Sequence, residues 1–152
     1  MDCSAFLARQ AHRLLQLGVA LLLFTSFEGF VIPYLTVPVL GRSVHTLRAL
    51  SGVLLLALGL LWPRLKLRAA ASRVAFWSLV YSDLAIIAAF LLASIWGAGN
   101  TIMPLAAGGA RGTDFQETAI AVVAYSAAPT GILSFALIFW GLRMPPKASP
   151  EN

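Results

Sequence analysis

Apolar residues in this chain fall into four long runs, at about residues 14–34, 44–62, 74–96 and 115–142. A helix that crosses the hydrocarbon of a bilayer needs about 20 mostly apolar residues, with a range of roughly 17 to 25. Runs of this length read as spanning helices, the second at the short end. The breaks between them carry the expected signals. Pro33 and Pro38 mark the exit of the first run, and Leu35 to Ser43 reads as the connection of a helical hairpin. Trp62-Pro63 closes the second run, and a basic stretch follows with Arg64, Lys66, Arg68 and Arg73. The loop from Gly97 to Gln116 is rich in glycine. Thr113 and Gln116 have the spacing of a capping box, which predicts a helix start before the fourth run. Pro129 predicts a kink within that run. Pro145, Pro146 and Pro150 predict a disordered tail at residues 144–152. The expected fold is all-α: a single antiparallel four-helix membrane bundle over residues 1–143.

Composition agrees with a lipid environment. Of 152 residues, 59% are hydrophobic and 11% charged, against about 25% charged in soluble domains. The net charge of +5 therefore reports topology rather than nucleic-acid binding. Four spans would put Arg9, Arg13, Arg64, Lys66, Arg68, Arg73, Arg143 and Lys147 on one side. Arg42, Arg48 and Arg111 fall on the other, so both termini are expected in the cytoplasm. Trp62, Trp96 and Trp140 sit near span ends, where an indole can lie half in the interface. Cys3 is the sole cysteine, which excludes an internal disulfide. The first run lacks a small-residue cleavage site and leads into further spans, so no signal peptide is expected. No internal repeat is visible.

Ionisable groups in hydrocarbon are costly, which makes each one a functional candidate. Glu28, His45, Arg48, Ser51, Glu117 and Tyr125 share the outer half of the expected bundle and could line one site. Asp83 lies nearer the midplane, with Tyr81 beside it in sequence. Each has a plainer reading. Glu28 can pair with Arg48 or Arg42. Asp83 can be a neutral carboxyl bonded to a helix backbone. Tyr81 and Tyr125 can be packing residues with satisfied hydroxyls. His12, between Arg9 and Arg13, reads as a headgroup-facing residue. His45 opens the second run next to Ala49 and Gly52, which makes a ligand role possible. Gly52 and Gly59 share nearly one helix face and read as sites of close helix approach. No catalytic triad, phosphate loop, dinucleotide fingerprint or zinc spacing is present. Two histidines and one cysteine make a protein-built metal cage an unexpected feature.

Several short runs together carry a family resemblance. They are Arg9-Gln10-Ala11-His12-Arg13-Leu14-Leu15, Ser43-Val44-His45, and Gly59-Leu60-Leu61-Trp62-Pro63-Arg64-Leu65-Lys66-Leu67. They continue with Ala75-Phe76-Trp77, Trp96-Gly97-Ala98-Gly99, Met103-Pro104, Gly112-Thr113, Gln116-Glu117 and Trp140-Gly141-Leu142-Arg143. With these, the chain resembles the hydroxylaminobenzene mutase family. These are small four-span enzymes of the bacterial cytoplasmic membrane, distantly similar to styrene oxide isomerase. The resemblance implies rearrangement of a small aromatic substrate, an arylhydroxylamine to an aminophenol or an aryl epoxide to an aldehyde. It also implies haem b between protomers of a homo-oligomer, a trimer, with the iron acting as a Lewis acid. His45 matches the family's axial histidine. Ser51, Tyr81 and Asp83 are the residues expected to position substrate or move a proton.

Four positions depart from the family pattern. Leu47 stands where the family has a glutamate, and Ser51 where it has an asparagine. Around Ile86 and Phe90 the third span is apolar, where the isomerase branch has an asparagine and a tyrosine. Two rival readings stay open. One is a proton-coupled exporter that uses Glu28; the other is a catalytically inactive membrane subunit of the same family.

Overall fold

The computed structural model describes residues 3–143, so the expected disorder of the tail lies outside the described residues. These residues form α1 (Cys3–Glu28), α2 (Pro38–Leu61), α3 (Ala69–Trp96), the short α4 (Pro104–Ala107) and α5 (Asp114–Leu142). Short 3-10 turns follow α1 at Ile32–Tyr34 and α2 at Trp62–Arg64. No strand occurs among the described residues.

Three helical stretches are long and apolar enough to cross a membrane: Val39–Arg64, Ala69–Trp96 and Asp114–Leu142. Helix α1 has 26 residues. It carries His12, Arg13, Gln16 and Glu28 along its apolar stretch and is not among the three. Large apolar side chains point outward, with Phe27 62%, Ile132 72% and Phe139 61% exposed. Such a surface suits lipid rather than water.

The long helices pair antiparallel. Along α1 and α2, Gly18 meets Gly52 while Ala11 meets Gly59. A Cβ on Gly18 would stand 2.8 Å from the Gly52 carbonyl oxygen. Missing side chains thus let the two backbones touch, the usual means of tight packing between apolar helices. The close approach expected at Gly52 and Gly59 is present, with Gly18 as the unforeseen partner. Helices α3 and α5 are joined mid-length, where Ser82 Oγ donates to the Ala127 carbonyl at 2.8 Å and Tyr81 pairs with Ser126 at 2.8 Å. Toward the basic end, the Lys66 amide donates to the Gly141 carbonyl at 3.0 Å.

The interior holds two apolar clusters. One gathers Leu14, Leu55, Trp62, Phe76 and Ile138 at the basic end. The other gathers Leu40, Ala89, Ala93, Met103 and Ile120 at the opposite end. Ser51 and Asp83 belong to neither cluster and fall between them along the helices.

Several boundaries differ from expectation. Helix α1 stops at Glu28 rather than near Tyr34. Gly29 disfavours further helix, and Pro33 has no amide to continue the ladder. Helix α2 starts at Pro38 rather than Val44, since proline fits the first helical position, where its missing N–H is no loss. His45 is therefore seven residues inside the helix, about 10 Å from its start. Trp62 is fully buried rather than interfacial. Its indole N–H donates to Gln10 Oε1 at 3.0 Å, and Gln10 also bonds Ser72. The capping box at Thr113 and Gln116 is present, and α5 runs through Pro129 as one helix. The glycine-rich loop contains α4, which the sequence reading did not anticipate.

Candidate functional site

The polar groups expected to share one site are placed in three. The first lies where the end of α1 meets α2. Arg48 and His45 are three residues apart and share a helix face. That face looks at Glu28 and Gly29. Arg48 Nη1 lies 3.3 Å from Glu28 Oε2, with side chains 15% and 7% exposed. Of the two arginines expected as partners, Arg48 forms the pair. His45 Cε1 is the nearest atom to a Cβ built on Gly29, at 3.9 Å. Both Glu28 carboxyl oxygens and His45 Nδ1 are buried without a hydrogen-bond partner. The Arg48 contact is thus a charge pair without hydrogen-bond alignment. An apolar recess of about 230 Å³ opens beside it, walled by Phe24, Phe27, Val31, Leu35 and Leu91.

The second place lies between α2 and α3. Ser51 on α2 and Asp83 on α3 are neighbours across it. Both residues are buried, and Asp83 Oδ2 has no partner. They line a recess of about 410 Å³ whose other walls include Leu47, Leu50, Leu79 and Phe135. His45 does not line it. Six residues separate His45 from Ser51, which is about 120° around the helix and 9 Å along it. Tyr81, expected beside Asp83, is half-exposed and bonded to Ser126 on α5. Two residues apart on a helix, Tyr81 and Asp83 leave in nearly opposite directions.

The third place lies under the glycine-rich loop. Glu117 Oε1 accepts from the amides of Gly99 at 2.9 Å and Gly112 at 3.0 Å. Its Oε2 accepts from the Thr101 amide at 3.0 Å. All three are backbone donors in the loop, so this carboxylate holds the loop onto α5. Tyr125 is 70% exposed and lines an open recess with Thr101, Arg111 and Thr118. The sequence signal for the Glu117 role was a buried-helix glutamate directly after a glycine-rich loop, whose unpaired amides need an acceptor.

A family model described as styrene oxide isomerase matches residues 10–143. The chain belongs to the styrene oxide isomerase family. It is 46% identical to hydroxylaminobenzene mutase HabB of Ectopseudomonas oleovorans over 136 residues, 90% of this chain and 83% of that protein. It is 35% identical to hydroxylaminobenzene mutase HabA of the same organism over 112 residues, 74% of this chain and 83% of that protein. No solved structure gives a significant match.

Within this styrene oxide isomerase family member, the four positions expected to depart from the family pattern come together. Leu47, Ser51 and Ile86 line the Asp83 recess. Leu47 and Phe90 line an adjoining recess of about 510 Å³, with Arg42, Ser43 and Thr46 at its rim. The two recesses share Leu47 and Leu50. The four positions therefore share one surface between α2 and α3.

The donor set bears on haem. Among the described residues, no three His, Cys, Asp or Glu side chains group as metal ligands. A haem brings its own four equatorial nitrogens and asks the protein for one axial side chain. The half-buried imidazole of His45 is a side chain of that kind.

Proposed function

We propose that this chain is a multi-pass membrane isomerase or mutase that rearranges a small aromatic substrate, an arylhydroxylamine or an aryl epoxide. The family assignment and the names of its mutase relatives support the reaction class. The observation that carries the site is unpaired buried polarity on both sides of α2: His45 Nδ1 toward α1, and Asp83 Oδ2 toward the α2–α3 recess.

In this reading His45 holds haem b, and the α2–α3 recess takes the substrate. The bound iron supplies a Lewis acid for a C–O or N–O bond, chemistry that needs no net redox change. In the mutase case the hydroxyl leaves nitrogen and a hydroxyl appears on the ring, so substrate and product are isomers. The chain's own residues set the conditions. The Asp83 carboxyl faces the recess and stabilises positive charge that develops as the bond breaks. Ser51 lines the same recess and places a hydroxyl beside that carboxyl. Leu47, Leu50, Ile86 and Phe135 keep the recess dry, so a cationic intermediate is not captured by bulk water.

Within one chain His45 on α2 faces α1, while Asp83 on α3 faces the α2–α3 recess. The proposal therefore includes a homo-oligomer, a trimer by resemblance, as the state in which the site is complete. It also includes α1 as a fourth span, giving a four-helix bundle with both termini in the cytoplasm of a bacterium. The two-sided count of basic residues supports that orientation.

The test is an absorption spectrum of detergent-purified protein beside His45→Ala, with turnover of aryl epoxides and arylhydroxylamines. A Soret band and turnover lost together in the variant are expected. Full turnover in His45→Ala overturns the assignment.

A further inference from the structure

Three buried acceptor and donor atoms with no partner lie within one small region: both Glu28 oxygens and His45 Nδ1. They belong to different helices and face the same junction. Buried polar atoms are ordinarily paired, and a group left unpaired costs about 1–3 kcal/mol. The geometry has a simple resolution. Glu28 has three rotatable side-chain bonds, its carboxylate lies 3.3 Å from Arg48, and the His45 ring lies 3.9 Å from a Cβ built on the adjacent Gly29. Arg48 holds Oε2 at 3.3 Å, which leaves Oε1 free to turn to the imidazole.

We propose that Glu28 is a positioning residue for His45: its carboxylate accepts a hydrogen bond from Nδ1–H and so fixes the imidazole in the tautomer whose Nε2 lone pair is free to bind a metal. Carboxylate partners of this kind orient most metal-ligating histidines and raise their basicity. Here the partner comes from a different helix. The Arg48 guanidinium, 3.3 Å from Glu28 Oε2, places a positive charge on the other side of that carboxylate. The three residues form a relay, Arg48 to Glu28 to His45, that ties the end of α1 to α2 and presents one ring nitrogen outward. The metal-binding half of this inference rests on the proposed haem role; the tautomer half rests on the geometry alone.

The experiment separates the two. Histidine-labelled, haem-free protein carrying His12→Gln leaves His45 as the sole imidazole, and nitrogen NMR then reports its tautomer directly. The Nδ1–H form is expected to dominate in the Glu28 protein. Glu28→Leu removes the acceptor and should shift the tautomer ratio about tenfold or more toward Nε2–H, the fold-change of a charge-assisted bond. Glu28→Gln keeps one acceptor oxygen and should shift it less, which separates a lost acceptor from a collapsed fold. An Nε2–H tautomer with Glu28 in place, or an unchanged ratio in Glu28→Leu, overturns the proposal. Haem titration is the second readout. Glu28→Leu should weaken haem binding about 10- to 100-fold, the usual effect of removing such a partner. If the Glu28 protein binds no haem, the haem reading fails, while the tautomer ratio still decides whether Glu28 positions His45.

Discussion

Gly18 and Gly52 sit back to back across α1 and α2, so close that a Cβ on Gly18 would lie 2.8 Å from the Gly52 carbonyl oxygen and 2.9 Å from Leu56 Cγ. One of those obstacles is backbone and cannot rotate away. Gly18→Ala is expected to force the helices apart and to cost about 1–3 kcal/mol, as overpacking of a tight interior does. Gly108, in the loop, has nothing within 4 Å of its would-be Cβ and a φ of +58°. Gly108→Ala should cost only the left-handed backbone penalty, about 1–2 kcal/mol, and leave the helix pair intact. Thermal unfolding in detergent, with crosslinking between α1 and α2, distinguishes the two outcomes.

Gln10 accepts from the Trp62 indole and from the Ser72 hydroxyl, and its own amide reaches the Ser72 carbonyl at 3.4 Å. Gln10→Leu removes the acceptor from two buried donors on other elements. A loss of about 1–3 kcal/mol per orphaned group is expected. Denaturation followed by Trp62 fluorescence checks it, with the other three tryptophans replaced by phenylalanine. An unchanged midpoint would mean that water takes the place of the amide.

Glu117→Gln keeps one oxygen but points an amide at backbone N–H groups that need an acceptor. The amides of Gly99, Thr101 and Gly112 should then exchange with deuterium at least tenfold faster, since bonds to a charged acceptor contribute about 1.5–3 kcal/mol. Protection in the middle of α3 should not change. Hydrogen exchange with peptide-level resolution measures both.

Asp83→Asn keeps the volume and replaces the carboxyl that lines the α2–α3 recess with an amide. Turnover should fall about 10²- to 10³-fold, as for loss of one electrostatic contact to the reacting centre. Under the proposed haem role of His45, haem absorbance should stay at the level of the parent protein. A variant with normal turnover would move the substrate out of this recess.

The long apolar runs were legible: α5 begins and ends within one residue of its expected limits, and α3 ends at Trp96 as expected but starts five residues earlier, at Ala69. What periodicity could not give was direction around α2. His45, Ser51 and Glu117 share a depth, and depth alone made them look like one site. Six residues of helix turn His45 and Ser51 toward different neighbours, and Glu117 is committed to three loop amides. The motifs that carry the family resemblance also proved to be mostly contacts that hold the fold. Gln10 of the first run bonds Trp62 of the third. Lys66 of the same third run bonds Gly141 of the last. Gly99 and Gly112 both bond Glu117. Runs that are distant in sequence are recognisable together because they meet in space, and this says more about architecture than about substrate.

The carboxylate of Glu117 also sets an order of events during synthesis. Its three amide donors lie upstream, in residues 99–112, and the acceptor sits at the head of the last helix. Until α5 has emerged from the ribosome, those amides have no protein partner to satisfy them. The glycine-rich segment can therefore take its final shape only after the last helix is in place, and a chain truncated before α5 would leave that end of the molecule open.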